Sequence, residues 1–266
     1  MRIRSSERRI ANFIDKIEDM PVQNYVYEEL INAINSNVFF KILSEIAKKD
    51  VAVSARILKI ANTKLQVESI DKAITMILGS KALKNIIMSF DKTDLIVWSD
   101  FQREQLKEIS WHSYIVDYYF KHIYRMKYGD IPPKKYSSVA LTHDIGKIIQ
   151  IQYMPFKFEE IIANMRRKDI SYYQSEKDLG MSLETHTELG ARIMQKWGFN
   201  QANIEIAKMH HDSKSLVNKL TFLTEIIDFT DALAKYTRKY MNDKYFSLSR
   251  FHRLHHLSER RLLAIA

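Results

Sequence analysis

The segment VALTHDIGKII, residues 139–149, places a histidine and an aspartate side by side between apolar residues. The apolar spacing from Tyr136 to Gln152 predicts a helix, so His143 and Asp144 are expected in the interior of the protein. Burying an imidazole beside a carboxylate costs free energy unless the two groups are paired or bound to a cation. Both groups are ligands of zinc, iron and manganese. The segment therefore predicts a helical protein with a polar, metal-binding site in its core.

Histidines and acidic residues also occur on other predicted helices. Glu108 and His112 are four residues apart, which puts both on one face of a helix. His210 and His211 are adjacent, so on a helix they point about 100° apart and can reach two neighbouring metals. Asp228 lies in the apolar helix LTEIIDFTDAL, where a carboxylate has few structural reasons to be. A set of separate core histidines, each with its own hydrogen bond, is the alternative interpretation.

The composition favours an all-α fold. The 266 residues include only 6 glycines and 4 prolines, and strand-rich proteins need many turns built from those residues. A hydrophobic fraction of 46% supports a sizeable core. We predict a multi-helix bundle with an N-terminal helical subdomain, residues 1–98, and a subdomain that holds the site residues, 99–240. The DKTDLIVWSD segment is the predicted junction, and a basic helical tail is predicted for residues 241–266.

The chain has no cysteine, which excludes disulfides and thiolate metal ligands and fits a reducing compartment. The N-terminus MRIRSSERRIANF has positive charge but no apolar run behind it, so no secretory signal is expected. No window approaches the roughly 18 uncharged apolar residues of a membrane span. The expected location is the cytoplasm.

The net charge of +9 arises from 41 basic and 32 acidic residues, which are mostly interspersed. This pattern is typical of solvated helix faces, and an anionic partner such as nucleic acid or acidic lipid is the less favoured interpretation. His252, His255 and His256 resemble a set of three metal-binding histidines, but they lie in the basic tail beside Arg253. We predict a surface helix there.

The order of the motifs WH, HDIGK, HTELGA, HH and IIDFTDAL resembles the HD phosphohydrolase superfamily, whose members bind one to three divalent metals at these positions. The matching residues of this chain are His112, His143, Asp144, His186, His210, His211 and Asp228. The resemblance implies that Asp144 bridges the metals when there are two. It also implies that His186, His210 and His211 serve the second metal, and that Asp228 completes the shell of the first.

Two further positions have a counterpart in one branch of that superfamily, the HD-GYP proteins. Lys147 matches a lysine that meets the substrate phosphate there, so the resemblance implies a catalytic role for Lys147 beside Asp144. An ordinary exposed helix lysine is an equally good interpretation. Glu108 falls where some members place an additional metal ligand.

Four segments resemble the HD-related output domain family, HDOD, over roughly residues 17–215. MPVQNYVYEELINAI, residues 20–34, is similar to its opening segment. IAKKDVAVSARILKIANT, residues 46–63, and SIDKAITMILGSKALKNIIMS, residues 69–89, are similar to its next two elements. SEKDLGMSLETHTELGARIMQKWGF, residues 175–199, is similar to a stretch marked by glutamate, glycine, histidine and tryptophan. The chain is therefore identified by resemblance as a member of this family.

The resemblance leaves three functions to weigh. HDOD proteins in general have no established catalytic activity and are regarded as signalling modules, so a regulatory protein acting through protein partners is favoured. The alternative is a phosphohydrolase or phosphodiesterase that uses a divalent metal (iron, manganese, zinc or magnesium) to activate water against a nucleotide or other phosphoester. After HHD the chain reads SKSLVNKL, without the glycine-tyrosine-proline signature, which disfavours hydrolysis of cyclic-di-GMP. Nucleic-acid binding rests on charge alone and is least favoured.

Overall fold

A computed structural model of the chain describes residues 2–65, 67–89, 99–212 and 220–240. Every regular element in these ranges is a helix, which confirms the predicted all-α fold class. No helix of the described ranges is both long and apolar enough to span a membrane. The helices are α1 (Arg2–Asp15), α2 (Asn24–Asn35), α3 (Phe40–Lys48), α4 (Val51–Asn62), α5 (Ile70–Lys72), a π-helical segment (Ala73–Leu78), α6 (Gly79–Met88), α7 (Asp100–Tyr128), a 3-10 segment (Lys134–Tyr136), α8 (Val139–Thr142), α9 (Ile145–Tyr153), α10 (Pro155–Lys168), α11 (Tyr172–Asp178), α12 (His186–Lys196), α13 (Gln201–Met209) and α14 (Thr221–Tyr240).

Helix starts follow local capping chemistry. Asp50 caps α4, because its Oδ1 accepts hydrogen bonds from the backbone N–H groups of Ala52 and Val53. Ser69 likewise accepts from the N–H of Lys72 at the start of α5. Thr185 is the cap of α12, which puts His186 at the first position of that helix. A ligand candidate at a helix start is thereby held by the cap beside it.

The segment around His143 is not the single helix that the apolar spacing predicts. α8 ends at Thr142 and α9 begins at Ile145, so His143 and Asp144 form a turn between two short helices. The backbone of Asp144 has φ −97° and ψ 12°, outside helical geometry, and its carbonyl accepts from the N–H of Lys147 three residues on. The apolar pattern runs through this turn because the residues on both sides of it are buried.

Two hydrophobic clusters form the core. The larger contains residues from both halves of the chain, among them Leu30, Ile57, Phe158 and Ile193. The smaller lies where α7, α8, α13 and α14 meet, and it contains the fully buried side chain of Phe120. The division predicted between residues 98 and 99 stays a prediction, and the larger cluster spans it.

Several predicted features lie outside the described residues. They include the basic tail from residue 241 with His252, His255 and His256, and the junction residues 91–98.

Candidate metal centre

Six of the seven predicted ligand residues lie together. His112 is on α7, His143 and Asp144 form the turn before α9, and His186 is the first residue of α12. The pair His210 and His211 directly follows α13. The side chains of His143, Asp144, His186 and His210 are almost completely buried. Helices far apart in sequence therefore converge on one buried polar site.

The carboxylate of Asp144 is at the centre of this site. Its Oδ2 lies 3.4 Å from Nε2 of His143 and 3.7 Å from Nε2 of His112. Its Oδ1 lies 3.4 Å from Nε2 of His186 and 3.5 Å from Nε2 of His210. The two oxygens of one carboxylate thus face two different sets of imidazoles, so Asp144 would be available to two cations.

The side chains form two groups. Within each group, the potential ligand atoms all lie within 4.8 Å of one another. Site A consists of His112, His143, Asp144 and Asp231. Site B consists of Asp144, His186, His210 and His211. Each site combines imidazole nitrogens with carboxylate oxygen, the donor set that zinc, iron and manganese accept.

The hydrogen bonds of the imidazoles turn lone pairs toward the site. Nδ1 of His143 lies 2.7 Å from the carbonyl oxygen of Ala140, and Nδ1 of His210 lies 3.0 Å from that of Ala207. A carbonyl oxygen only accepts hydrogen bonds, so Nδ1 carries the hydrogen in both rings, and in a neutral ring Nε2 has a free lone pair.

Several potential metal-ligand atoms of the two sites have no hydrogen-bond partner among the described residues. Nε2 of His143, Oδ1 of Asp144 and Nε2 of His211 are buried and make no hydrogen bond within the described ranges. Nε2 of His186 lies 3.3 Å from Nε2 of His210. Buried lone pairs that face one another are unfavourable without a cation between them. The residues therefore fit divalent metal ions at both sites.

The electrostatics of the site also suit a cation. Burial raises the pKa of Asp144, but the Lys147 ammonium and the His143 imidazole outweigh burial and hold that pKa well below its usual range. Burial lowers the pKa of His211, and His210 beside it lowers the pKa further, so His211 is neutral. Burial lowers the pKa of His143, but Asp144 and Asp231 outweigh burial and raise it to about 9. A proton and a metal ion therefore compete for Nε2 of His143.

Asp228 is not part of either site, which corrects the expectation from the sequence. Its side chain is exposed, whereas Asp231 is buried and its Oδ1 lies 2.7 Å from Nε2 of His112. The buried stripe of α14 includes Ile227 and Ala234, and Asp231 lies four residues after the first and three before the second. Asp228 is one residue after Ile227 and so is turned about 100° away from that stripe. Following the stripe through LTEIIDFTDAL would have selected Asp231.

Lys147 and Glu108 have different surroundings. The ammonium of Lys147 hydrogen-bonds Oδ2 of Asp144 and lies 4.9 Å from the ring centre of Tyr172. Lys147 is buried, so it is not an ordinary exposed helix residue. Oε2 of Glu108 lies 3.3 Å from Nε2 of Gln105, and Glu108 belongs to neither metal site.

Glu176 is a buried site residue to which the sequence pattern gave no role. Its Oε2 lies 2.7 Å from Nδ1 of His186, and its Oε1 accepts a hydrogen bond from the backbone N–H of His186. Burial raises the pKa of Glu176 to about 7, although hydrogen bonds from Gln150 and from the His186 backbone oppose the shift.

Comparisons with known proteins place the chain among relatives of similar fold. A family model described as HDOD domain matches residues 20–213. An uncharacterized protein of Treponema pallidum (strain Nichols) is 23% identical over 240 residues, which are 85% of this chain and 45% of that protein, so the chain spans less than half of that relative's length. The MmoQ response regulator of Methylococcus capsulatus has a TM-score of 0.64 at 18% identity, with 85% of this chain and 90% of that one covered. A virulence factor of Campylobacter jejuni has a TM-score of 0.63 at 17% identity, with 85% and 83% covered. At these identities the likeness shows a shared fold.

Proposed function

Because this chain belongs to the HDOD domain family, we propose that it is a regulatory signal-transduction protein that acts through protein partners and retains a two-ion metal site. The described fold is shared with a response regulator, and that relative's role supports a signalling role here. The metal site would act as a sensor or as a structural centre of the signalling module. A cytoplasmic location, expected from the absence of cysteine, stays a prediction.

One observation carries the metal proposal: the two oxygens of Asp144 face two separate sets of imidazole nitrogens. Without a bound metal, the buried lone pairs at this site would destabilise the fold, since each costs free energy when it lacks a partner. His112, His143 and Asp231 would hold one ion together with Asp144, and His186, His210 and His211 the other. Iron, manganese and zinc fit this donor set best, and magnesium less well, since it prefers oxygen ligands.

Metal analysis of the purified chain tests the proposal. We expect the chain, after loading with manganese, iron or zinc and removal of free ion, to hold up to two ions. The Asp144→Ala variant is expected to hold neither. A matched control is Asp100→Ala at the exposed start of α7, which should hold as many ions as the original chain. If the chain is correctly folded and still holds no ion after this loading procedure, the metal proposal is refuted.

A second function is favoured by the position of Lys147. A bound divalent ion would lower the pKa of a water molecule and polarise a phosphoryl oxygen. Lys147 places a buried positive charge beside Asp144, where it can stabilise charge that develops on a phosphoryl group. Tyr172 holds the ammonium against the face of its ring. We propose metal-dependent hydrolysis of a small phosphoester as the alternative function, with Lys147 and Asp144 as its catalytic residues.

A further inference from the structure

Glu176 on α11 is a completely buried carboxylate that hydrogen-bonds His186, a residue of site B. Its Oε2 lies 2.7 Å from Nδ1 of His186, and its Oε1 accepts from the His186 backbone N–H at 2.6 Å. The same Oε1 also accepts from Nε2 of Gln150 at 2.7 Å. Glu176 therefore contacts the ring and the backbone of His186 at once, one through each carboxylate oxygen.

The partners of Glu176 are themselves held by hydrogen bonds. The hydroxyl of Tyr172 donates to Oε1 of Gln150 at 2.6 Å, and Nε2 of Gln150 also donates to the carbonyl oxygen of Glu184 at 2.8 Å. The amide of Gln150 can satisfy these contacts in one orientation only, with its oxygen toward Tyr172 and its nitrogen toward Glu176. Glu176 thus receives two N–H donors on Oε1, and Oε2 is left to accept from Nδ1 of His186.

A hydrogen on Nδ1 leaves the lone pair of Nε2 for site B. His143 and His210 obtain the same tautomer from backbone carbonyl oxygens, whereas His186 obtains it from a carboxylate. A carboxylate makes the imidazole more basic than a carbonyl does and so strengthens its bond to a metal. Site B therefore has a supporting carboxylate in addition to a backbone carbonyl.

We infer that Glu176 is the positioning residue of site B, and that Gln150 and Tyr172 hold Glu176 in place for this role. The inference rests on the proposed metal binding. It predicts that the two ion positions are inequivalent. Loss of Glu176 should weaken ion binding at site B and leave ion binding at site A unchanged. Loss of an outer-shell partner of this kind typically lowers metal affinity about 10- to 100-fold.

Glu176→Gln is the most direct variant because it keeps the size of the side chain. A glutamine amide has only one oxygen, so its NH2 group would face either Nδ1–H of His186 or the two N–H donors now bound by Oε1. In either orientation the NH2 group of the glutamine would face another N–H donor. This repulsion favours rotation of the His186 ring. Tyr172→Phe is a milder second variant, since it keeps the ring against Lys147 and removes only the hydroxyl bound to Gln150.

The experiment is a Co²⁺ titration of the metal-free full chain at mildly alkaline pH, followed by calorimetry and by the visible absorption of the bound ion. We expect two binding classes in the original chain. Glu176→Gln should weaken one class about 10- to 100-fold and leave the other unchanged, and Tyr172→Phe should weaken the same class roughly threefold. Asp231→Asn should weaken the other class. The matched control is Glu159→Gln on the exposed face of α10, which should bind as the original chain does.

A second readout does not need metal. Long-range ¹H–¹⁵N spectra of the metal-free chain should show the hydrogen of His186 on Nδ1, and the signals of that ring should change in Glu176→Gln while those of His143 do not. Two unchanged binding classes in both Glu176→Gln and Tyr172→Phe would overturn the positioning role and leave the metal proposal standing. An original chain that binds no Co²⁺ would overturn both. If Glu176→Gln does not fold, Tyr172→Phe decides the question by itself.

Discussion

The backbone of Gly146 lies directly against the carbonyl group of His186. A Cβ atom at Gly146 would stand 1.9 Å from the carbonyl oxygen of His186 and 2.9 Å from the backbone nitrogen of Gly190. This contact brings the start of α9 against the start of α12. Because Asp144 precedes α9 and His186 begins α12, the close approach of the two backbones sets the distance between these ligands.

Gly146→Ala should therefore destabilise the chain and lower its metal content. A methyl group facing backbone atoms cannot be accommodated by a change of rotamer, so we expect a loss of about 3 kcal/mol, at the upper end for overpacking. Gly190→Ala is a graded control, because its Cβ would lie 3.3 Å from the nearest atom, the Gly146 nitrogen. Urea unfolding and metal analysis of both variants measure the effect. Equal stability of the two would contradict the contact described here.

Asp231 and Asp228 should differ in their effect on metal binding. Asp231→Asn removes an oxygen that lies among the site A ligands, so we expect the loss of one of two ions. Asp228→Asn changes an exposed side chain of the same helix and should leave the ion count unchanged. Metal analysis after identical loading compares the two. Loss of metal in Asp228→Asn alone would restore the assignment expected from the sequence.

Asp144→Ala should lower the metal content more than Glu108→Ala does. Asp144 contributes one oxygen to each site, whereas Glu108 belongs to neither. We expect the first variant to hold no ion and the second to hold as many as the original chain. The melting temperature in the presence of metal should fall in Asp144→Ala for the same reason, since an ion that binds only the folded chain stabilises it. Equal metal loss in both variants would be the contrary result.

Any metal-dependent hydrolysis should act on a small phosphoester and should fall in Lys147→Met. The variant removes the positive charge beside Asp144 and keeps most of the side-chain volume. Removing one such electrostatic group typically lowers kcat about 100-fold or more. Lys134→Met, on the exposed 3-10 segment, is the control and should keep full activity.

With cyclic-di-GMP as substrate we expect little or no turnover. Robust turnover that Asp144→Ala abolishes would favour an enzyme over a regulator.

Asp19→Ala should destabilise the fold without any direct effect on the metal site. Asp19 forms an ion pair with the guanidinium of Arg56, which is buried on α4. Removing one partner leaves a buried charge uncompensated, so we expect a loss of about 3 kcal/mol. Glu18→Ala is the adjacent control, and it should cost little because Glu18 is exposed and its ion pairs are screened by solvent. Unfolding in urea compares the two variants.

Much of the fold could be predicted because helices are encoded locally. The four-residue spacing of Glu108 and His112 predicted one helix for both residues, and both lie on α7, Asp100–Tyr128. Capping residues such as Asp50 and Ser69 define helix starts through side-chain hydrogen bonds to nearby backbone N–H groups. The turn at His143 and Asp144 escaped prediction, since burial on both sides of it continues the apolar pattern of a helix.

The all-α class, the family and six of the residues that lie together in the candidate metal centre follow from the sequence. Those features are carried by the spacing and order of residues along the chain. The packing of the helices was needed to see that Asp231 rather than Asp228 joins site A, that Asp144 turns one oxygen to each site, and that Glu176 hydrogen-bonds His186. These relationships depend on how each helix is rotated about its axis and which distant helix it meets. Rotation and contact follow from the packing of the whole core, which no local pattern of residues specifies.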